Sequence, residues 1–163
     1  MTYIGIDPAL REKGLAVCFI ADKVLTFEIY KSFIDFIIDV PKWAGRYTGI
    51  KIMIEDSSKQ NVTFSRGTSH RAALAISRNV GMNQAASIII TQLCKHYQYE
   101  TKGISPKQKG SKWTANLMNL IIKDNQFLTS QTKYSQDEID AFTLAYILIS
   151  HEKAKGTVRR WHK

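Results

Sequence analysis

Residues 2–30 read TYIGIDPALREKGLAVCFIADKVLTFEIY, and the reading of this stretch decides the fold. Residues 2–6 are apolar and β-prone, and Asp7-Pro8 ends the run. Residues 14–20 (GLAVCFI) and 24–30 (VLTFEIY) form two further apolar segments separated by Ala21-Asp22-Lys23, a short turn signal. Three strands joined by short turns read as an antiparallel meander. Strand side chains alternate between faces, so residues 4 and 6 point one way and residues 3, 5 and 7 the other.

Outward from the meander the pattern changes. Ser32 is placed to cap a helix through Phe33, Phe36, Ile37 and Val40, which Pro41 would close. Residues 50–54 form a fourth apolar strand, ended by Glu55-Asp56. A strand that follows a helix is placed to lie parallel to the first through a crossover. Residues 57–69 are polar and aperiodic and include Lys59, Arg66 and Gly67. They read as a long exposed loop, and such loops in compact domains commonly bind something. Residues 70–96 are helical in pattern, with Gly81 marking a kink or a close approach. Residues 99–104 form a fifth strand. The segment 102–112 then carries Lys102, Lys107, Lys109 and Lys112 and no acid. A helix over 113–122 follows, and a last one runs from Tyr134-Ser135 to about residue 150. The order βββ-α-β-α-β-α-α predicts an α/β domain over residues 1–150, a mixed five-stranded sheet with helices packed on its faces. A basic tail over 151–163 carries Arg159, Arg160 and Trp161. A dinucleotide-binding fold is disfavoured, because no G-x-G-x-x-G follows the first strand.

Composition narrows the class of partner. The chain has 163 residues, 44% of them apolar, enough for one domain with a hydrophobic core. Its formal net charge is +9 and its pI about 9.6, which favours polyanions, nucleic acid first. Cys18 and Cys94 sit far apart in apolar runs, without zinc-ligand spacing, and read as buried reduced thiols. No apolar run reaches the roughly 18 residues of a membrane span, and no basic-then-apolar leader opens the sequence. These features predict a cytoplasmic protein.

The acidic residues number 14, so their placement is informative. Asp7 and Glu55 each end an apolar strand, and parallel pairing of those strands would bring both carboxylates to one sheet edge. Each also has an ordinary reading, as a turn starter before Pro8 and as a strand-end charge. Asp137 and Asp140 are three apart and share a helix face that Leu144 and Leu148 continue. An acidic pair opening a core-facing stripe is costly to desolvate unless a cation compensates it. Glu138 has a separate explanation, because Ser135 and Glu138 fit the S-x-x-E capping box. Helix-dipole stabilisation would account for Asp137 but not for Asp140 on the inward stripe. Clustered carboxylates without a matching His or Cys set favour a hard cation, Mg²⁺ or Mn²⁺. Hydrolysis of a phosphodiester by two such ions needs several carboxylates to bridge them.

Taken in order, four features resemble the RuvC-type Holliday-junction resolvases of the ribonuclease H-like superfamily. They are I-G-I-D-P at 4–8 with Gly14, Ile54-Glu55, the stretch Gly103-Ile104-Ser105-Pro106-Lys107 with the lysines after it, and Asp137-x-x-Asp140-Ala141-x-x-Leu144-Ala145. The resemblance implies a ribonuclease H-like fold, with three antiparallel strands, then parallel ones, and helices on both faces. It implies Asp7, Glu55, Asp137 and Asp140 as catalytic metal ligands for about two ions. It implies Lys107, Lys109 and Lys112 as phosphate contacts, joined by Lys59, Arg66 and Lys102 as DNA-binding candidates. A homodimer through the 70–96 helix would place two sites on a two-fold axis, suited to paired symmetric nicks in branched DNA. The sequence departs from the family after Glu55, where the expected aromatic is missing and Phe64 is the nearest substitute. It departs again in the short turn between Lys109 and Lys112. Two other functions fit the same residues: a nuclease acting on RNA·DNA hybrids or structured RNA, and a non-catalytic nucleic-acid-binding protein.

Overall fold

The computed structural model describes residues 1–8, 14–59 and 69–160, with side chains to Ala154. Arg66, Gly67, Phe64 and Trp161 lie outside the described residues. The sheet has five strands: β1 (Thr2–Asp7), β2 (Leu15–Ala21), β3 (Val24–Tyr30), β4 (Ile50–Glu55) and β5 (Glu100–Ile104), in the spatial order β3-β2-β1-β4-β5. β1, β2 and β3 are antiparallel neighbours, and β4 and β5 run parallel to β1. The meander and the crossover are therefore as the sequence implies. Asp22 and Lys23 make the β2–β3 hairpin with φ of 48° and 67°, the left-handed geometry of a two-residue turn whose twist matches the strands. Leu128 hydrogen-bonds to Lys23 and Leu25 and so pairs with the start of edge strand β3.

Among the described residues six α-helices accompany the sheet: α1 (Phe33–Asp39), α2 (Trp43–Arg46), α3 (His70–His96), α4 (Pro106–Lys109), α5 (Ala115–Asp124) and α6 (Gln136–Arg160). Ser32 caps α1 by accepting from the amides of Ile34 and Asp35. Pro41 does not simply stop that helix. It sits inside a 3₁₀ turn, Val40–Lys42, that leads into α2 and buries Trp43. A proline lacks an N–H but fits within the opening residues of a new turn, whose amides have no partner inside it. Gly81 has open space where a Cβ would stand, so close packing is not its purpose. α6 runs on to Arg160, well past the expected end near residue 150. The apolar period does fade there, but Glu152 pairs with Lys51 at 2.5 Å and with Lys102 at 3.7 Å, fastening the extension to β4 and β5.

Side-chain alternation distributes the core. Ile4, Ile6, Val17, Phe19, Ile52 and Ile54 face α1, α2 and α3, packing with Phe36, Trp43, Ala86, Ile90 and Cys94. Ala16, Cys18 and Ile20 face the other way, against Met118 of α5 and Ile139, Phe142, Ala145 and Ile149 of α6. Burial of each large side chain contributes about 1.5–3 kcal/mol. Helices thus cover both faces, and both thiols are buried and free. Among the described residues, no helix is long and apolar enough to cross a membrane.

Candidate active site

Two features of the scaffold bring distant acids together. The first is register: Ile6 pairs with Ile54, so the next residues, Asp7 and Glu55, leave adjacent parallel strands at the same edge. Both belong to the alternating set that includes Gly5 and Met53 and faces α6. The second is Gly5. A Cβ there would lie 2.6 Å from the amide nitrogen of Ala145 and would collide with the carbonyl oxygen of Ala141. Only glycine lets the α6 backbone settle so closely on β1, and that approach sets Asp140 beside the strand ends.

Asp140 is buried on α6, with Leu144 and Leu148 continuing its face into the core. Ser135 accepts from the Glu138 amide at 3.2 Å while Glu138 accepts from the Ser135 amide at 2.7 Å. This is the reciprocal cap expected from S-x-x-E, and it keeps Glu138 out of the acid centre. Gln131 adds a further hydrogen bond to Glu138.

At the centre of the acids lies a lysine. The Lys109 ammonium is in contact with Glu55 Oε2 and sits 3.3 Å from Asp140 Oδ1, with its side chain only 8% exposed. Neither of those two buried carboxylate oxygens meets a hydrogen-bond donor other than that ammonium. Asp7 completes the group electrostatically. Burial, and then the charges of Glu55, Asp140 and Asp137, push its carboxyl up from 3.8 to about 7, against the opposing pull of Lys109. Asp137 is the weakest of these influences, a rim position one helical turn before Asp140. Asp7, Glu55 and Asp140 thus lie within electrostatic reach of one another around Lys109, with Asp137 at the margin.

The site is braced from the opposite face. Ser87 of α3 is fully buried; its hydroxyl lies 3.0 Å from the Glu55 carbonyl oxygen and 2.8 Å from that of Asn83, and it accepts from the Ser57 amide at 3.3 Å. The long helix thereby grips the backbone on both sides of Asp56. Sequence reasoning passed over Ser87, although a serine among the inward residues Ala86, Ile90 and Cys94 is a legible anomaly.

The six DNA-binding candidates separate by environment. Lys107 and Lys112 are exposed. Lys59 is half exposed, 3.2 Å from Asp56 and 3.1 Å from the Gly103 carbonyl oxygen. Lys102 pairs with Glu100 at 3.4 Å and with Glu152. Lys109 is the exception, turned inward onto the acids. The cause is local: Ser105 and Gln108 cap α4 reciprocally, Pro106 opens it, and this single turn carries Lys109 back over the sheet edge before Gly110 reverses the chain with φ of 88°. The S-P-x-Q pattern was a readable signal for that turn.

Oxygen-only donors, two of them buried and held by Lys109 alone, suit a hard divalent cation. In this conformation, however, no three Asp, Glu, His or Cys side chains among the described residues are spaced to grip one ion. The Lys109 ammonium occupies the space between two of them.

Beside Lys109 opens a cavity of about 640 Å³. It is lined by Lys109 itself, Met53, Ile104, Ile147, Lys102 and His151, with Gly103 and Gln108.

Comparison with known proteins finds no matching family model and no matching curated sequence. Solved structures do match. A Thermus thermophilus RuvC bound to a Holliday junction substrate aligns with a TM-score of 0.53 and 15% identity, over 89% of this chain and 90% of that one. A second Thermus thermophilus RuvC structure aligns with a TM-score of 0.53 and 13% identity, over 89% and 91%. At such identity the likeness is one of fold: the mixed five-stranded sheet with its helices is the ribonuclease H-like architecture of those proteins.

Proposed function

We propose that this chain is a metal-dependent, structure-selective endonuclease that cuts branched DNA, four-way junctions above all, by paired nicks. The observation that carries this reading is the convergence of Asp7, Glu55 and Asp140, drawn from three elements, with buried carboxylate oxygens that meet no donor besides the Lys109 ammonium. A scaffold gains little from such a group, since three acids share one lysine and partly compensated buried charge is costly. Perturbed acids of this kind mark functional centres. The likeness to a RuvC bound to its junction adds a fold that accommodates branched DNA.

In this reading Asp7, Glu55 and Asp140 hold Mg²⁺ or Mn²⁺, about two ions per site, with Asp137 closing the rim. A divalent ion, when bound, supplies Lewis acidity at a phosphoryl oxygen and a more acidic water. The chain's own part is to orient those carboxylates and to seat the DNA backbone. Lys107 and Lys112 are the exposed residues best placed for phosphates, with Lys59 and Lys102 at the flanks and Arg66 as a further candidate. A homodimer would form through α3, where Leu74, Ile76, Ile88 and Ile89 are each more than 40% exposed. Two copies related by a two-fold axis would present two acid centres to a junction of matching symmetry. Free buried thiols accord with a cytoplasmic setting.

The test is cleavage of an end-labelled four-way junction with Mg²⁺, with Mn²⁺ and with EDTA, beside an RNA·DNA hybrid and a hairpin RNA. Symmetric nicks in the junction that EDTA abolishes are expected. Preferential cutting of the hybrid or the hairpin would move the assignment to a ribonuclease. Tight, salt-sensitive junction binding with no metal-dependent cutting would make the protein a binding module.

A further inference from the structure

We infer that Lys109 is an internal counter-cation that the metal must displace: its ammonium neutralises the acid centre in the metal-free protein and withdraws when a divalent ion enters. The inference rests on the metal-site reading above and goes beyond it by assigning Lys109 a state-dependent position. Three observations support it. The ammonium lies against both Glu55 and Asp140, and the buried oxygens it faces accept from no other donor. Their compensation comes from the lysine and not from fixed protein donors, so a second cation can take over the role without breaking a wider hydrogen-bond network. The ammonium fills the space between Glu55 and Asp140 that an ion bridging them would need, so lysine and metal exclude each other there. Finally, Lys109 lines the cavity of about 640 Å³, which gives a flexible four-carbon stem room to withdraw.

The direction of exchange follows from charge. A dication interacts with the same carboxylates about twice as strongly as an ammonium before desolvation is counted, and the oxygen set is of the hard type that Mg²⁺ and Mn²⁺ prefer. Lysine in the centre therefore lowers apparent metal affinity while protecting the empty site from the repulsion of its own acids. Once withdrawn, the ammonium stands at the border of the metal site and the cavity, where a phosphate of bound nucleic acid would meet it.

The experiment is Mn²⁺ binding, followed by calorimetry and by the loss of free-ion electron paramagnetic resonance signal, for the full chain and for Lys109→Met. The variant is expected to bind Mn²⁺ at least about tenfold more tightly. Its melting temperature without metal should fall, and added Mn²⁺ should raise it by more than it raises that of the unaltered chain. Equal or weaker Mn²⁺ binding by Lys109→Met overturns the exchange and leaves the metal site standing. Absence of Mn²⁺ binding in both proteins, or binding that survives Asp140→Asn undiminished, overturns the site and the exchange together. A second measurement needs no Lys109→Met protein. In the unaltered chain with ¹⁵N-labelled lysine, the buried ammonium should give one resonance protected from solvent exchange, assigned with Lys109→Arg, which loses its protection as Mg²⁺ is added. Persistence of that protected resonance at saturating Mg²⁺ contradicts the exchange.

Discussion

Two carboxylate clusters in this molecule make opposite use of burial. Beside β3, Asp39 is surrounded by donors: Tyr30 at 2.6 Å, the Trp43 indole at 3.1 Å, and Arg46, which also pairs with Glu28 at 3.3 Å. Burial pushes the Asp39 carboxyl up, but the hydrogen bonds from Tyr30, Arg46 and Trp43 outweigh it and hold the group below its ordinary value. At the edge formed by β1 and β4, Asp7 meets other acids and one lysine, and its carboxyl rises to about 7. The first cluster is complete in itself and binds α1 and α2 to the sheet. The second leaves several acids to share the single ammonium of Lys109, and on the reading proposed above that shortfall is what a metal ion would make good.

The largest contrast is expected from paired substitutions. Asp7→Asn should reduce junction cleavage by roughly a thousandfold or more. It should leave the metal-free melting temperature at pH 8 unchanged or higher, since it removes a repelled charge. Asp39→Asn should do the reverse, costing about 2 kcal/mol of stability through weakened charged hydrogen bonds while leaving cleavage within a few-fold. Cleavage assays and urea melts on both proteins check the pair. Matched losses of stability would erase the distinction between the clusters.

Gly5→Ala comes next. The added methyl meets α6 backbone rather than a flexible side chain end, so α6 must lift from β1. A loss of about 3 kcal/mol is expected, within the range for severe overpacking, together with weakened cleavage, because Asp140 moves with the helix. Ser87→Ala should cost about 1 kcal/mol for the lost hydrogen bonds. It should also weaken Mn²⁺ binding, because the strand end that carries Glu55 loses its brace. A variant that loses stability but binds Mn²⁺ as before would confine Ser87 to a packing role.

A last contrast lies in pH dependence. Asp7 holds its proton to about pH 7 in the folded metal-free protein but releases it near its ordinary value of 3.8 when unfolded. The unfolded state therefore binds fewer protons between those values, and stability should fall as pH rises from about 4 to about 7. Thermal melts of the metal-free chain across this range should show a decline that Asp7→Asn reduces. An unaltered slope in that variant would show that Asp7 is not the group responsible.

Much of this arrangement was legible in residues alone. Alternation in β1 and β4 places Asp7 and Glu55 on one face, the three-residue spacing places Asp137 and Asp140 on one stripe, and Ser135 claims Glu138 for the cap. What escaped depends on distances between elements. Lys109 was grouped with exposed DNA-contacting lysines, because nothing in a run of four lysines says which one a single capped turn will fold inward. Gly5 was part of a recognised motif, yet its closeness to Ala141 and Ala145 exists only once α6 has docked. The unequal standing of Asp137 and Asp140 likewise comes from where α6 starts relative to the strand ends, which helical period cannot specify. The full length of α6 is not legible either, because the apolar period fades after residue 150 while ion pairs from Glu152 fasten the helix to β4 and β5.

The most direct measurement is a crystal of the protein grown with Mn²⁺ and recorded at the manganese absorption edge. Anomalous density is expected among Asp7, Glu55 and Asp140, with the Lys109 ammonium no longer between Glu55 and Asp140. A map without a peak there, with Lys109 still seated on both carboxylates at saturating Mn²⁺, would contradict the reading of this cluster as a metal-dependent nuclease centre.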